Sequence, residues 1–210
     1  GHQDRDRQTP EFSDEMDHMV INPSWYVPRS IIVGEYLPKL RNNSGAVSHL
    51  EIIDSRGRVV SRGQSFARYT ERSFPFSMRQ RPGPQNALGT VKFMFPNKYN
   101  IYLHDTPAKN LCARETRAYS HGCIRLADPF DFAYALLAKQ EADPKGYFHS
   151  VLKTGRETKI DLVTPLPVHL IYRTALISPK GRAEFRRDVY GRDAKIWEAL
   201  NRAGVELSAV

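Results

Sequence analysis

The chain reads Ala118-Tyr119-Ser120-His121-Gly122-Cys123-Ile124-Arg125-Leu126 at its most informative stretch, and His104 lies upstream in Leu103-His104-Asp105. A cysteine thiolate is a good nucleophile, but a free thiol with a pKa of about 8.5 is mostly protonated at neutral pH. A histidine that reaches the thiol from a neighbouring strand can take its proton. Gly122 lets the backbone bend tightly, so that consecutive N–H groups can converge as an oxyanion hole requires. The stretch therefore predicts a cysteine acyl-transfer site.

The spacing of these residues resembles the signature of a known family. His104 is followed by fifteen residues and then by Ser-His-Gly-Cys, an apolar residue and Arg125. This pattern resembles that of the L,D-transpeptidases, which have a YkuD-type catalytic domain. Further segments, within about residues 8–193, are similar to the large YcbB-like branch: Asn22–Ile31, Pro82–Gly89, Phe95–Asn97, Leu103–Pro107 and Pro167–Ala175. A short family consensus has Asn where this chain has Arg125, a variant that concerns substrate contacts more than the chemistry.

The resemblance implies a role for each residue of the motif. Cys123 is expected to be the nucleophile and His104 the base. The backbone carbonyl of Asp105, or alternatively its carboxylate, is expected to orient the histidine. His121, Gly122 and Cys123 are expected to frame the oxyanion hole through their backbone N–H groups. His121 is also an alternative base, because it lies only two residues from the thiol.

Three further residues are expected at the substrate. Ser120 is expected to brace the loop by side-chain hydrogen bonds and to lie at the bound substrate. Arg125 is expected either to bind a substrate carboxylate with two parallel hydrogen bonds or to pair with a core acid. Tyr102 shares a strand face with His104 and is expected to line the groove, together with Tyr119, unless either ring serves only for packing.

The family resemblance implies peptidoglycan L,D-transpeptidation. The Cys123 thiolate would form a thioester with the diamino-acid carbonyl of a tetrapeptide stem and release D-alanine. A stem amine would then give a 3→3 cross-link. The resemblance also implies that no metal or organic cofactor is needed and that carbapenem β-lactams acylate the thiol. The alternatives are an L,D-hydrolase, an enzyme that attaches or detaches lipoproteins, and a non-catalytic wall-binding module.

The two cysteines, Cys112 and Cys123, allow two other interpretations. An even number of cysteines favours a disulfide in an oxidising compartment. A bridge would remove the nucleophile, so Cys112 is interpreted as a small buried or half-buried apolar residue, with a regulatory disulfide as the alternative. With His104 and His121 the two cysteines are also possible zinc ligands, but their spacing matches no common zinc motif.

Composition and charge restrict the class of protein. The 210 residues, 40% apolar and 10% aromatic, fit one globular domain with a sizeable core. No nucleic-acid motif accompanies the net charge of +8, so the basic surface is interpreted as solvated or as suited to anionic stem peptides. No apolar run approaches the roughly 20 residues of a membrane helix, and no signal peptide is recognised. The resemblance implies a periplasmic or cell-envelope location and a longer exported protein.

The hydrophobic pattern predicts a mainly β protein with appended helices (α+β), because strands and helices do not alternate regularly. The resemblance implies a curved β-sandwich-like core. Residues 1–20 are predicted to be a polar leader, and residues 21–210 the catalytic domain. Helices are predicted over about 29–40, 129–140, 146–154 and 192–202, and strands over 50–60 as a hairpin, 88–95, 100–104, 160–163, 168–177 and 184–189.

Residues 61–86 are rich in Arg, Ser, Phe and Pro and have no regular pattern. A loop this long in a compact domain is usually functional or mobile. The segment is therefore a candidate lid over the active site. The alternative is a plain surface excursion with Phe74 and Phe76 tucked into the core.

Overall fold

The computed structural model describes residues 1–205, and within them ten strands form three sheets. The strands are β1 (Phe12–Ile21), β2 (Trp25–Tyr26), β3 (Glu51–Ile53), β4 (Ser77–Gln80), β5 (Val91–Met94), β6 (Leu103–His104), β7 (Ile124–Arg125), β8 (Thr158–Leu170), β9 (Ala175–Ile177) and β10 (Ala183–Phe185). The largest sheet has the order β7-β6-β5-β1-β8, the second is β2-β4-β3, and β9 pairs with β10 in a hairpin. The largest sheet carries the sequence motif at one edge.

Helices are appended to these sheets. They are α1 (Arg29–Ile31), α2 (Leu37–Asn42), α3 (Pro129–Leu137), α4 (Pro144–Lys153) and α5 (Arg192–Arg202). A π-helical turn, Ile32–Tyr36, joins α1 to α2, so residues 29–42 form one continuous helix. The open sheets and the appended helices confirm the predicted α+β, sandwich-like architecture. No helix in the described part of the chain has the length and apolar character needed to cross a membrane.

The first hydrophobic core lies between the five-stranded sheet and helices α3 and α4. Pro129 and Pro144 occupy the first turns of these helices, where the missing N–H costs nothing. The buried members of this core come from all of these elements: Met16, Met19, Ile21, Val91, Phe93, Phe95, Ile101, Ala133, Leu137, Phe148, Ile160 and Leu162. This packing fixes the sheet whose edge carries the motif.

The predicted leader, residues 1–20, instead contains most of the interior strand β1, which pairs with both β5 and β8. Met16, Met19 and Ile21 are completely buried. The register shifts between Met16 and His18, so the alternation of apolar and polar residues is interrupted. Exposed positions such as Glu15 and Asp17 carry acids, which are depleted in strands. The segment therefore lacks the usual sequence signature of a strand.

Strand β8 also differs from the prediction, because it runs without interruption through two proline residues, Pro165 and Pro167. The sequence suggested a break between residues 163 and 168. Proline cannot donate to the ladder, but it is tolerated in an edge strand, and β8 lies at the edge of the sheet.

The second hydrophobic core lies between the three-stranded sheet and the continuous helix 29–42. Its buried members are Val27, Ile31, Ile32, Leu37, Leu40, Leu50, Ile52, Phe66, Phe74 and Met78. Residues 61–86 therefore supply two fully buried rings, Phe66 and Phe74, as well as strand β4. The structure thus shows packing contacts for this segment, and its movement as a lid stays a prediction.

Arg62 ties this segment to the second core. Its guanidinium donates to the backbone carbonyls of Ser44, Ala46, Val47 and Leu50, at 2.9, 2.7, 2.9 and 2.6 Å. These four carbonyls lie in the irregular connection between α2 and β3, outside any regular helix or strand. One side chain therefore replaces the hydrogen bonds that a regular element would supply.

Replacing Arg62 with Met should lower the free energy of unfolding by about 2–4 kcal/mol, because four carbonyls lose a charged donor. Urea unfolding monitored by fluorescence measures the change. The matched control is Arg58→Met, which removes a solvent-exposed pair with Asp54 and should lower the free energy of unfolding much less. Equal losses in the two variants would show that Arg62 has no special role.

Candidate active site

The parallel pairing of β6 with β7 brings the predicted nucleophile beside the predicted base. The Ile124 N–H donates to the Tyr102 carbonyl at 3.1 Å, and the Leu126 N–H donates to the His104 carbonyl at 2.9 Å. Cys123 directly precedes β7, and His104 is the last residue of β6. The loop 105–123 closes this connection. His104 and Cys123, which are nineteen positions apart in the chain, are thus brought together by two adjacent strands.

The imidazole of His104 is oriented by the backbone of the next residue. His104 is buried, and its Nδ1 atom contacts the carbonyl oxygen of Asp105. A carbonyl can only accept a hydrogen bond, so Nδ1 carries the proton. In the neutral ring this leaves the Nε2 lone pair free to accept a proton. The orientation suits a general base.

The carboxylate of Asp105 has a different task from its carbonyl. One carboxylate oxygen accepts hydrogen bonds from the Thr90 N–H at 2.9 Å and the Thr90 hydroxyl at 3.0 Å. The other accepts the Thr106 N–H at 2.7 Å and pairs with Lys109 at 2.7 Å. The carboxylate therefore fixes the backbone that holds His104, and the carbonyl makes the direct contact with the imidazole.

Gly89 allows the preceding segment to approach this carboxylate. A Cβ atom at Gly89 would lie 2.3 Å from the carboxylate of Asp105, and the φ angle of +63° also disfavours other residues. Gly89 and Thr90 were not identified as site residues from the sequence. Gly89 ends a segment that resembles the family, Pro82–Gly89, but Thr90 lies in no such segment.

Burial keeps both reacting groups neutral. Burial, helped by the positive charge of Arg125 and opposed by the hydrogen bond to Asp105, lowers the pKa of His104 from 6.5 to about 4. Burial raises the pKa of the Cys123 thiol, although hydrogen bonding from Tyr102 opposes the shift. At neutral pH the pair is therefore a thiol and an imidazole, not a preformed ion pair.

The loop that precedes Cys123 is held by its own side chains. The Ser120 hydroxyl donates to the Cys123 carbonyl at 2.6 Å and accepts the Gly122 N–H at 3.2 Å. The hydroxyl of Thr9 donates to the Gly122 carbonyl at 2.7 Å. Gly122 has a φ of +125°, a region that glycine favours. Within residues 1–205, the N–H groups of His121 and Cys123 have no protein acceptor.

The side chain of His121 is bound by the continuous helix. Its Nε2 atom lies 2.8 Å from Oε1 of Glu35, which also pairs with Arg7 at 3.1 Å. Glu35 belongs to the π-helical turn, a feature that is frequent at functional sites. The sequence analysis missed Glu35, because nothing in the local pattern connects it to a residue 86 positions away.

Two cavities meet at Cys123. The larger has a volume of about 760 Å³ and lies between the continuous helix and strand β6, and the smaller has a volume of about 260 Å³. Four motif residues line both cavities: Tyr119, Ser120, Cys123 and Arg125. Tyr102 and His104 line the larger one. Of the candidate lid, residues 61–86, only Gln80 and Gln85 line the larger cavity.

The structure does not support a zinc site. No three His, Cys, Asp or Glu side chains converge as a metal-ligand set in the described residues 1–205. Cys112 is half-buried in the short 3₁₀-helix Lys109–Ala113, and both it and Cys123 are free thiols. The four zinc-ligand candidates therefore do not form one site.

Breaking the contact between Glu35 and His121 should loosen the catalytic loop. We expect the Glu35→Gln variant to exchange the amide protons of residues 119–123 several-fold faster, because a charge-assisted hydrogen bond becomes a neutral one. Hydrogen exchange followed by mass spectrometry measures this. Glu11→Gln, which weakens an ion pair with Arg192, is the matched control and should leave that peptide unchanged. An unchanged loop in Glu35→Gln would contradict the link.

Comparisons with known proteins identify the family of this chain. The family model described as YkuD, L,D-transpeptidase catalytic domain, matches residues 1–160. A Haemophilus influenzae protein, whose name provisionally assigns it to the L,D-transpeptidases, is 32% identical over 192 residues. The match covers 90% of this chain but 39% of that relative, so the chain spans well under half of the relative's length. The chain belongs to the YkuD family of L,D-transpeptidase catalytic domains.

Proposed function

We propose that this chain is a peptidoglycan L,D-transpeptidase in which Cys123 is the nucleophile and His104 the general base. One observation carries the proposal: a histidine with a fixed tautomer lies on the strand beside the cysteine, where two cavities meet. The family acts on peptidoglycan, which supplies the class of substrate. Two cavities at one thiol suit a reaction with a donor and an acceptor.

In the first half-reaction, Sγ of Cys123 attacks the carbonyl of the diamino acid in a tetrapeptide stem. Nε2 of His104 takes the thiol proton as the C–S bond forms. The N–H groups of His121 and Cys123, which have no other acceptor in the described chain, stabilise the oxyanion. Gly122 supplies the backbone turn, since its own N–H is bound by Ser120. The C–N bond to D-alanine then breaks, and His104 returns the proton to the leaving amine.

In the second half-reaction, a side-chain amine of another stem attacks the thioester. His104 takes a proton from this amine, the C–S bond breaks, and the thiolate is reprotonated. The product is a 3→3 cross-link, and no metal or organic cofactor takes part in the scheme. If water replaces the amine, the same steps give an L,D-hydrolase. The acceptor is either a stem amine or the amine of a lipoprotein. Analysis of the reaction products distinguishes the two.

Arg125 is proposed to bind a substrate carboxylate. Its Nε atom is buried and has no hydrogen-bond partner among residues 1–205, and the Arg125 side chain lines both cavities. An unpartnered guanidinium is expected to acquire a carboxylate, because burial without a partner costs free energy. Tyr102 lines the larger cavity beside it. Carbapenems, which carry a carboxylate next to the reactive carbonyl, are proposed to acylate Cys123. We place the protein in the cell envelope, as is general in the family.

Replacing Cys123 with Ala should abolish release of D-alanine from a disaccharide-tetrapeptide, with a loss of at least about 1,000-fold. Mass spectrometry of the products measures it and distinguishes the cross-linked dimer from a tripeptide. Cys112→Ala is the matched control, because it removes the other free thiol, and it should retain turnover. Turnover that survives in Cys123→Ala would end the cysteine mechanism. A tripeptide as the sole product would favour the hydrolase.

The pH dependence should report the buried base. Because the pKa of His104 is lowered to about 4, the imidazole stays unprotonated at pH 5–7, where a free histidine begins to charge. We expect kcat/KM to fall only as the pH drops through about 4, with the fold checked by circular dichroism at each pH. Arg125→Gln should move this acid limb upward, because it removes a neighbouring positive charge. An acid limb near 6.5 that disappears in His121→Gln would transfer the base to His121.

A further inference from the structure

A third cavity, with a volume of about 710 Å³, lies beside the loop that leads into the catalytic motif. Four of the residues that line it are arginines: Arg117, Arg173, Arg186 and Arg187. We call it the basic cavity. Three of these arginines lie beyond residue 160, where the match to the family model ends. The cavity therefore involves a part of the chain that the catalytic-domain model does not describe.

The basic cavity has an excess of positive charge. Within residues 1–205, Arg117, Arg173 and Arg187 form no ion pair, and Arg186 pairs with Glu184. The cavity wall contains one acid, Glu115. The guanidiniums are exposed and solvated, so they need no protein partner, but their concentration in one concave wall attracts anions.

The acid nearest in sequence to these arginines faces other groups. Asp188 accepts hydrogen bonds from the Tyr172 hydroxyl at 2.6 Å, from the Arg192 N–H at 3.0 Å and from the Asp193 N–H at 2.8 Å. It is not among the residues that line the basic cavity. Its carboxylate therefore holds the start of helix α5 and does not neutralise the arginines of the basic cavity.

The wall of the basic cavity is preformed. The rings of Tyr172 and Tyr190 stack at 4.9 Å, and the guanidinium of Arg192 lies 4.8 Å from one ring centroid and 5.1 Å from the other. Phe185, which is 76% exposed, adds an apolar surface. Stacked aromatic rings beside arginines offer both apolar contact and charge, which a glycopeptide requires.

The basic cavity adjoins the smaller cavity at the active site. Arg117 lines both the basic cavity and the smaller cavity at Cys123. The smaller cavity in turn shares Cys123 with the larger one. The three cavities therefore lie side by side, leading away from the thiol. A volume of about 710 Å³ exceeds what a single small ion needs.

We infer that the basic cavity binds the stem-peptide carboxylates of a peptidoglycan strand and anchors that strand next to Cys123. The inference rests on the proposed function, which supplies the polymer. The exposed guanidiniums of Arg173 and Arg187 bind the carboxylates, and Arg117 bridges the basic cavity to the thiol. The site is separate from Arg125, which contacts the reacting stem.

The test measures binding to purified insoluble peptidoglycan by cosedimentation, with Cys123→Ala in every protein so that no thioester forms. Adding Arg173→Gln and Arg187→Gln should weaken binding about tenfold. The matched control adds Lys180→Gln and Arg182→Gln, which remove the same charge from the same hairpin outside the cavity. Binding of the control variant to peptidoglycan should stay within about twofold of that of Cys123→Ala alone. Equal weakening in both would overturn the inference and show a general charge effect.

A second arm identifies the anion. Peptidoglycan whose carboxylates are converted to amides with carbodiimide and ammonia should bind the protein that retains Arg173 and Arg187 about tenfold more weakly. Undiminished binding to the amidated polymer would overturn the inference and assign the cavity to phosphate or glycan. Salt should weaken binding to the native polymer, and this measurement needs no variant. Because binding is measured without turnover, it can be assessed even if D-alanine release fails.

Discussion

The two hydrogen bonds between β6 and β7 are the constraint on which the active site depends. They join the end of the strand that carries His104 to the short strand that follows Cys123. A parallel pair needs a long connection, and the loop 105–123 supplies it at the sheet edge. The Asp105 carboxylate anchors the start of this loop, and Ser120 anchors its end. The backbone geometry of these strands and of the loop thus brings His104 and Cys123 together.

Burial has opposite consequences for the reactivity of His104 and of Cys123. It packs His104 against the sheet and depresses its pKa, so that the imidazole remains a free base near neutrality. The same burial disfavours the thiolate, which makes the resting cysteine poorly nucleophilic. In the proposed mechanism, the thiolate forms only as a substrate carbonyl arrives. Catalysis then depends on geometry more than on a standing charge.

The sequence predicted those features that have a local signal. Helix α5 and the strand that carries His104 followed from periodicity, and the relation of Cys123 to His104 followed from the family spacing. The prediction of a leader over residues 1–20 failed, because acids on the exposed face and a bulge interrupt the alternation that would have indicated strand β1. The contact of Glu35 with His121 had no local signal, since it joins distant segments through a π-helical turn. Long-range contacts of this kind depend on the assembled fold, and single-sequence patterns do not encode them visibly.

The π-helical turn has a consequence for how related chains can differ. An α-helix advances about 100° per residue, so one residue more or less within a helix rotates everything beyond it by that angle. The wider turn at Ile32–Tyr36 absorbs such a residue and keeps both Ile31 and Leu37 in the core while Glu35 faces the catalytic loop. A single insertion or deletion is therefore enough to create or abolish this contact without disturbing the core. Evolution can alter the support of the catalytic loop in one genetic step.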